Sequence, residues 1–266
     1  MVSILKGIAG AMQSFSHDGF DLAFIERQPE HGSGEPILLI HGFASSAQVN
    51  WVSPGWMKTL GDAGYRAIAF DNRGHGASSK SYEPADYTPQ KMAGDAAALL
   101  NHLGISRAHV MGYSMGARIA AFLALAEPSM VATLVSGGLG IGMVEGVGEW
   151  DPIADALLAP DPSQIESRRG QTFRAFADQT KSDRRALAAC ISTSRPLLSE
   201  EEVSRIAVPT LIAVGTTDDI GGSASELAGL MPNAQSFDIE GRDHMLSVGD
   251  RTFKKRVLEF LAANPL

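Results

Sequence analysis

A doubly wound α/β fold, with a mostly parallel eight-stranded sheet and a helical cap inserted after the sixth strand, is predicted by three features of this sequence. Short apolar runs recur along the chain, helical stretches separate them, and one long segment interrupts the alternation without supplying a strand. The runs are apolar at consecutive positions, as parallel strands covered by helices on both faces should be. Strand–helix alternation of this kind winds an open sheet in both directions.

Residues 13–16 and 21–26, joined at Asp18-Gly19, read as an antiparallel opening pair. Six apolar strands follow, at 37–40, 67–70, 108–111, 131–135, 210–214 and 236–239, with helices expected at 56–64, 89–103, 223–231, 251–262 and directly after Ser114. Residues 137–206 break the pattern. They open on Gly137-Gly138-Leu139-Gly140-Ile141-Gly142, expected to be flexible, and continue as charged helix with Arg168, Arg169, Arg174, Arg184 and Arg185. These arginines read mainly as a solvated face from which one can reach a substrate carboxylate. An insertion at this place can cover the strand ends, where open α/β sheets bind ligands. The chain therefore divides into a core of residues 1–136 and 207–266 and a helical cap of 137–206.

A chain of 266 residues suits one such domain with an insertion. The formal net charge of −8, with no lysine- or arginine-rich block, argues against nucleic acid or an anionic membrane as a partner. The single cysteine, Cys190, excludes an intrachain disulfide and suits a reducing, cytoplasmic setting. Its neighbours Leu187, Ala188, Ala189 and Ile191 mark it as a core thiol. Residues 1–12 hold one lysine and no sustained apolar run, so they do not read as a signal peptide, and no later segment is long enough to span a bilayer. The oligomeric state is left open.

Chemistry concentrates at Gly112-Tyr113-Ser114-Met115-Gly116, between the strand at 108–111 and a helix beginning Ala117-Arg118-Ile119. A serine at a sharp strand-to-helix turn has strained backbone and an exposed hydroxyl, and the turn closes only with small residues two positions before and after. A serine hydroxyl is a poor nucleophile until a base takes its proton, and the base needs an orienting carboxylate. Gly215-Thr216-Thr217-Asp218-Asp219 and Gly241-Arg242-Asp243-His244 follow the last two strands, so both reach the sheet edge that carries Ser114. Of the seven histidines, His244 has the chain order and loop position of the base. His41 and His75, in glycine-rich loops, precede the serine, and the remaining four lie at exposed turns or in structural positions. Asp218 is preferred as the acid, with Asp219 as the alternative, because adjacent side chains diverge and only one can reach His244. The backbone N–H groups of Phe43, in His41-Gly42-Phe43-Ala44-Ser45-Ser46, and of Met115 are the expected oxyanion donors.

With these residues in view, the chain resembles the α/β-hydrolase superfamily, in its branch of capped single-domain bacterial enzymes. The resemblance spans nearly the whole length: the His41-Gly42-Phe43 loop, Asp71-Asn72-Arg73-Gly74-His75-Gly76-Ala77-Ser78, the serine turn, 215–218 and the terminal Gly241-Arg242-Asp243-His244. It implies that the acid lies three residues after the glycine ending its strand, which supports Asp218. It also implies that residues 71–78 are a structural loop, so Arg73 and His75 receive no chemistry. Relatives that open epoxides or remove halides carry aspartate at the position of Ser114, and dienelactone-type relatives carry cysteine.

Serine-dependent hydrolysis of short to medium acyl carboxylic esters through an acyl-enzyme is the expected function, on a small-molecule substrate and with no metal or organic cofactor. Apolar cap residues Met143, Val144, Trp150, Ile153, Leu157, Leu158, Phe173 and Phe176 are candidates for an acyl pocket, with Trp150, Phe173 and Phe176 foremost. Three alternatives stand beside this reading: a lyase or carbon–carbon hydrolase, acyl transfer or perhydrolysis, and a non-enzymatic ligand sensor. The first rests on Gly112 to Arg118, which resembles the elbow of the menaquinone-pathway synthase and makes Arg118 a substrate-binding candidate. The plainer role for Arg118 is a buried helix residue salt-bridged nearby.

Overall fold

The computed structural model describes residues 10–32, 34–146 and 150–266. Most of the 1–12 stretch therefore lies outside the described residues. One sheet contains β1 (Gln13–His17), β2 (Phe20–Arg27), β3 (Pro36–Ile40), β4 (Arg66–Phe70), β5 (Ala108–Tyr113), β6 (Val131–Gly137), β7 (Thr210–Gly215) and β8 (Ala234–Ile239). Their spatial order is β1-β2-β4-β3-β5-β6-β7-β8. β2 runs antiparallel to both its neighbours, β1 and β4, and all other neighbouring pairs are parallel. The opening hairpin turns at Asp18 and Gly19, both at positive φ.

The α-helices are α1 (Trp56–Asp62), α2 (Pro89–His102), α3 (Met115–Ala126), α4 (Asp151–Leu158), α5 (Arg168–Gln179), α6 (Arg184–Thr193), α7 (Glu200–Ser204), α8 (Ala224–Leu230), α9 (His244–Ser247) and α10 (Arg251–Ala263). Successive strand side chains enter opposite layers, as the period of two requires. Leu38, Ile40, Ile68, Phe70, Ile212 and Val214 join a core with α2, α3 and α8. Ile37, Leu39, Ala67, Ala69, Leu211 and Ala213 join a second core with Trp56 and Leu60 of α1 and Phe253, Val257 and Phe260 of α10. Trp56, Phe253 and Phe260 are essentially fully buried, and each apolar side chain of this size contributes about 1.5–3 kcal/mol. Among the described residues, no helix is long and apolar enough to cross a membrane.

Three expectations need correction. β8 is not covered on both faces: it is the sheet edge, and Gln235, Ser236 and Asp238 are exposed while Ile239 is buried. Residues 137–142 are buried rather than flexible, because glycines such as Gly140 and Gly142 let this segment pack its backbone directly on 221–223. The Gly140 N–H donates to the Gly221 carbonyl at 2.8 Å and the Ile141 N–H to that of Ser223 at 2.8 Å. A Cβ on Gly140 would sit 2.4 Å from the Ser223 oxygen. Arg174 is also no solvated residue. It is buried, and it donates to Asp178 at 2.9 Å and to the Ala156 and Ala159 carbonyls at 3.0 and 2.7 Å. A cation at the carbonyl end of α4 meets the negative pole of that helix.

Between β6 and β7, α4 packs against both α5 and α6. Ile153, Leu157, Phe173, Leu187 and Ile191 from these helices join the core that contains α3. Cys190 is fully buried among them, and burial pushes its thiol up to about 12.

Candidate active site

Ser114 stands between β5 and α3 with φ 54° and ψ −114°. A non-glycine residue held there stores of order 1–3 kcal/mol of strain, which the surroundings must enforce. They do so through its neighbours. A Cβ on Gly112 would lie 2.1 Å from the Gly116 oxygen, and one on Gly116 would lie 2.0 Å from the Ile40 oxygen. Only glycine allows α3 to start this close to β3 and β5. The Ser114 N–H donates to the Gly137 carbonyl at 2.8 Å, which ties the turn to the end of β6.

A close approach of the same kind brings the acid and the histidine together. A Cβ on Gly215, the last residue of β7, would lie 2.0 Å from the Arg242 carbonyl oxygen. The Thr217 N–H donates to that carbonyl at 3.1 Å. The loop after β7 thus lies directly on the loop that enters α9. His244 Nδ1 is 2.8 Å from Asp218 Oδ2, and His244 Nε2 is 3.0 Å from Ser114 Oγ. The Asp218 side chain is completely buried, and its other oxygen accepts the Ile220 and Gly221 N–H groups at 2.8 and 2.9 Å. With a neutral ring, Nδ1–H donating to Asp218 leaves Nε2 to accept the serine proton. Asp219 is exposed, and its backbone carbonyl, not its carboxylate, meets Arg169. Asp243 caps α9 through the Met245 and Leu246 N–H groups.

Phe43 and Met115 line the same cavity as Ser114 and His244. Neither backbone N–H has a hydrogen-bond partner among the described residues. The loop carrying Phe43 is held by Asn50, whose Oδ1 accepts the Gly42 N–H at 2.8 Å. Asp71 accepts the Ala47 and Ala77 N–H groups, both at 2.7 Å, so the 71–78 loop braces this segment. His41 Nδ1 donates to the Gly42 carbonyl at 2.7 Å while its Nε2 accepts the Asn72 N–H at 3.0 Å. Burial pulls His41 down to about 4, and burial followed by the neighbouring His41 pulls His75 down to about 3. Arg73 is fully buried and bidentate on Asp95, at 2.7 Å in each contact.

The cavity over Ser114 measures about 340 Å³, within the range of small-molecule sites. Trp150, Phe173 and Phe176 line it from the inserted helices. The other acyl-pocket candidates do not: Met143, Ile153 and Leu157 are buried in the core, Val144 packs against it, and Leu158 is exposed. Arg118 also lines the cavity and is buried, but no carboxylate meets it. Its guanidinium donates to the carbonyls of Met143 (3.0 Å), Pro196 (2.7 Å) and Gly142 (3.1 Å). The expected salt bridge is replaced by a clamp on two backbone segments.

Sequence reasoning missed Tyr113 and Arg195. The Tyr113 hydroxyl donates to the His244 carbonyl at 2.5 Å and its ring lies 5.5 Å from the imidazole. Arg195 lines the cavity with its guanidinium 3.1 Å from the centroid of the Trp150 ring. Tyr113 had a signal, since it directly precedes the serine at the end of the strand. Arg195 follows a helix end, where no periodicity marks the direction of a side chain.

The alpha/beta hydrolase fold profile matches residues 35–187, and the chain belongs to that family. Over 108 residues it is 37% identical to epoxide hydrolase 2 of Siraitia grosvenorii, a match covering 40% of this chain and 32% of that protein. The chain spans well under half the length of the curated relatives it matches, 38% in the case of a bromoperoxidase relative from Mycobacterium tuberculosis. Solved structures align over far more. A hydrolase from Pseudomonas aeruginosa superposes with a TM-score of 0.76 at 24% identity, over 95% of this chain and 98% of that one. A carboxylesterase structure from Nitrososphaera gargenis superposes with a TM-score of 0.70 at 20% identity, over 95% and 98%. At these identities the likeness is one of fold.

Proposed function

We propose that this protein is a serine hydrolase that cleaves carboxylic esters of short to medium acyl chain. One observation carries the reading: a strained serine whose hydroxyl, an imidazole and a fully buried carboxylate are linked by contacts of 3.0 and 2.8 Å beside a cavity of small-molecule size. Ser114 Oγ attacks the ester carbonyl as His244 Nε2 takes its proton, and Asp218 holds the ring in the required tautomer. The Phe43 and Met115 N–H groups receive the oxyanion. His244 then protonates the departing alcohol, and water, activated by the same imidazole, releases the acid and restores Ser114. The 137–206 helices act as the cap, contributing Trp150, Phe173 and Phe176 to the acyl pocket.

Epoxide hydrolases among the relatives suggest a different reaction, but the family pattern places aspartate at their nucleophile position and this chain has Ser114 there. The lyase reading drew on Arg118, three of whose N–H donors are engaged by backbone carbonyls, which favours the structural role for this residue. The buried free thiol of Cys190 favours a reducing, cytoplasmic setting. The test is turnover of an ester series from acetyl to palmitoyl, with one pyruvyl substrate alongside. Each methylene that fills the pocket adds about 0.8 kcal/mol, close to fourfold in specificity. The rate is expected to climb over short chains and fall beyond medium ones, undiminished by exhaustive chelation. A rate still rising at palmitoyl, or elimination from the pyruvyl substrate, would contradict the reading.

A further inference from the structure

Arg195 and Arg118 are charged groups in the cavity that the reaction above does not use, and Arg118 is tied to backbone carbonyls. The Arg195 guanidinium lies on the Trp150 ring, an arrangement that holds a cation in place without neutralising it. No hydrogen bond or ion pair from a described residue reaches it. Among the described residues, the charged groups that act on it are Arg118 and Arg169, both of its own sign. Arg195 and Trp150 also line a second, wide groove together with Asp155 and Glu166, and among the described residues neither carboxylate pairs with Arg195. Arg118 positions it: the bond from Arg118 to the Pro196 carbonyl fixes the residue next in sequence, and the bonds to Gly142 and Met143 anchor that clamp to the core. A partly buried cation among cations is an arrangement that folding alone disfavours. Burial, followed by the Arg118 and Arg169 charges, pulls its pKa down to about 8, so an anion delivered to the cavity relieves a cost already present.

We propose that Arg195 receives a carboxylate of the substrate, so that the ester cleaved at Ser114 is an acid-bearing one. The inference rests on the serine-hydrolase reading for the bond cleaved, but the anion site stands on Arg195, Trp150 and Arg118 alone. A planar guanidinium presented from one side offers two parallel N–H donors to a carboxylate. The ester carbonyl then lies at Ser114 with the carboxylate at the Trp150 wall.

The test compares monoethyl adipate with its neutral isostere ethyl 6-methylheptanoate on the full chain, on Arg195→Gln and on Arg195→Lys. Adipate binding to Ser114→Ala, with and without Arg195→Gln, is measured by calorimetry. The expected ratio of kcat/KM, anionic over neutral, is about 10–100 for the natural sequence. Arg195→Gln should lower that ratio at least tenfold, mainly through KM, and Arg195→Lys should recover part of it. Adipate should bind Ser114→Ala and fail to bind when Arg195→Gln is added. A ratio at or below one, or a ratio that Arg195→Gln leaves unchanged, overturns the proposal while ester turnover keeps the serine reading intact. Adipate bound through Arg195 with neither ester cleaved supports the anion site and overturns the chemistry assigned to Ser114.

Discussion

The loops at the C-terminal ends of β3, β5 and β7 and the helices between β6 and β7 both face the cavity over Ser114, but they are held by different means. In the loops, backbone meets backbone. Gly112, Gly116 and Gly215 each stand where an added Cβ would come within about 2.0–2.1 Å of a main-chain oxygen, and the Asp218, Asn50 and Asp71 carboxylate or amide oxygens are filled by backbone N–H groups. In the helices, side chains do the holding. Phe173 packs against Phe43 at 5.6 Å and Trp150 at 5.7 Å, and Arg174 and Arg118 bond to carbonyls. Positions set by backbone cannot be retuned by substitution, whereas positions set by side-chain packing can. Reaction chemistry should therefore be intolerant of change in the loops, and selectivity adjustable in the helices.

The sharpest way to break this contrast is to alter a loop residue without altering its volume. Asp218→Asn keeps the shape of the acid but favours the wrong imidazole tautomer, and kcat for ester hydrolysis should fall roughly 10⁴-fold. Asp219→Asn, at an exposed carboxylate, should cost less than about threefold. The reverse pattern in steady-state kinetics would move the acid by one residue. Gly116→Ala comes next. Its Cβ would meet main-chain oxygen on β3 rather than a side chain that can move, so destabilisation above about 3 kcal/mol is expected. A melting curve close to that of the natural sequence would show that the turn is less constrained than its geometry indicates.

Acid stability sharpens the same point. His41 is held neutral, with a folded value of about 4 against an ordinary value of 6.5. The unfolded chain binds the proton first, so stability is full above about pH 6.5 and declines as pH falls toward 4. The His41 contribution to that loss is roughly 3 kcal/mol, and His75 acts in the same direction. Denaturant titrations across this window should show the decline, and His41→Gln should flatten it. A slope unchanged by that substitution would locate the acid sensitivity elsewhere. The smallest effect is expected in the helices. Phe173→Ala should move the preferred acyl chain longer by one or two carbons, a shift of about fourfold per methylene, with kcat on the best substrate changed little. A collapse of kcat on all chain lengths would mean that Phe173 orients the reacting groups rather than shaping the pocket.

The difference between the two regions also explains what could be read from sequence. Six strands were visible because consecutive apolar residues such as Ile37-Leu38-Leu39-Ile40 are required wherever both faces are covered, and the opening pair was visible from its Asp18-Gly19 turn. β8 departs from this because an edge strand keeps polar positions such as Gln235 and Asp238. Ser114, Asp218 and His244 could be singled out because glycines and chain order mark places where backbone geometry is forced. The burial of 137–142 could not be read, since a glycine run looks the same whether it is loose or packed against another backbone. Arg118 and Arg195 were equally opaque. A lone arginine in sequence does not say whether a carboxylate, a row of carbonyls or an indole ring will meet it.

The central claim is that Ser114 is the nucleophile and that His244 and Asp218 activate it. Reaction with a fluorophosphonate probe, read by intact mass and peptide mapping, tests it most directly. One adduct is expected, on the peptide containing Ser114, absent in Ser114→Ala and formed far more slowly in Asp218→Asn. An adduct on another residue, or a Ser114→Ala protein that still hydrolyses esters at the original rate, would contradict the account.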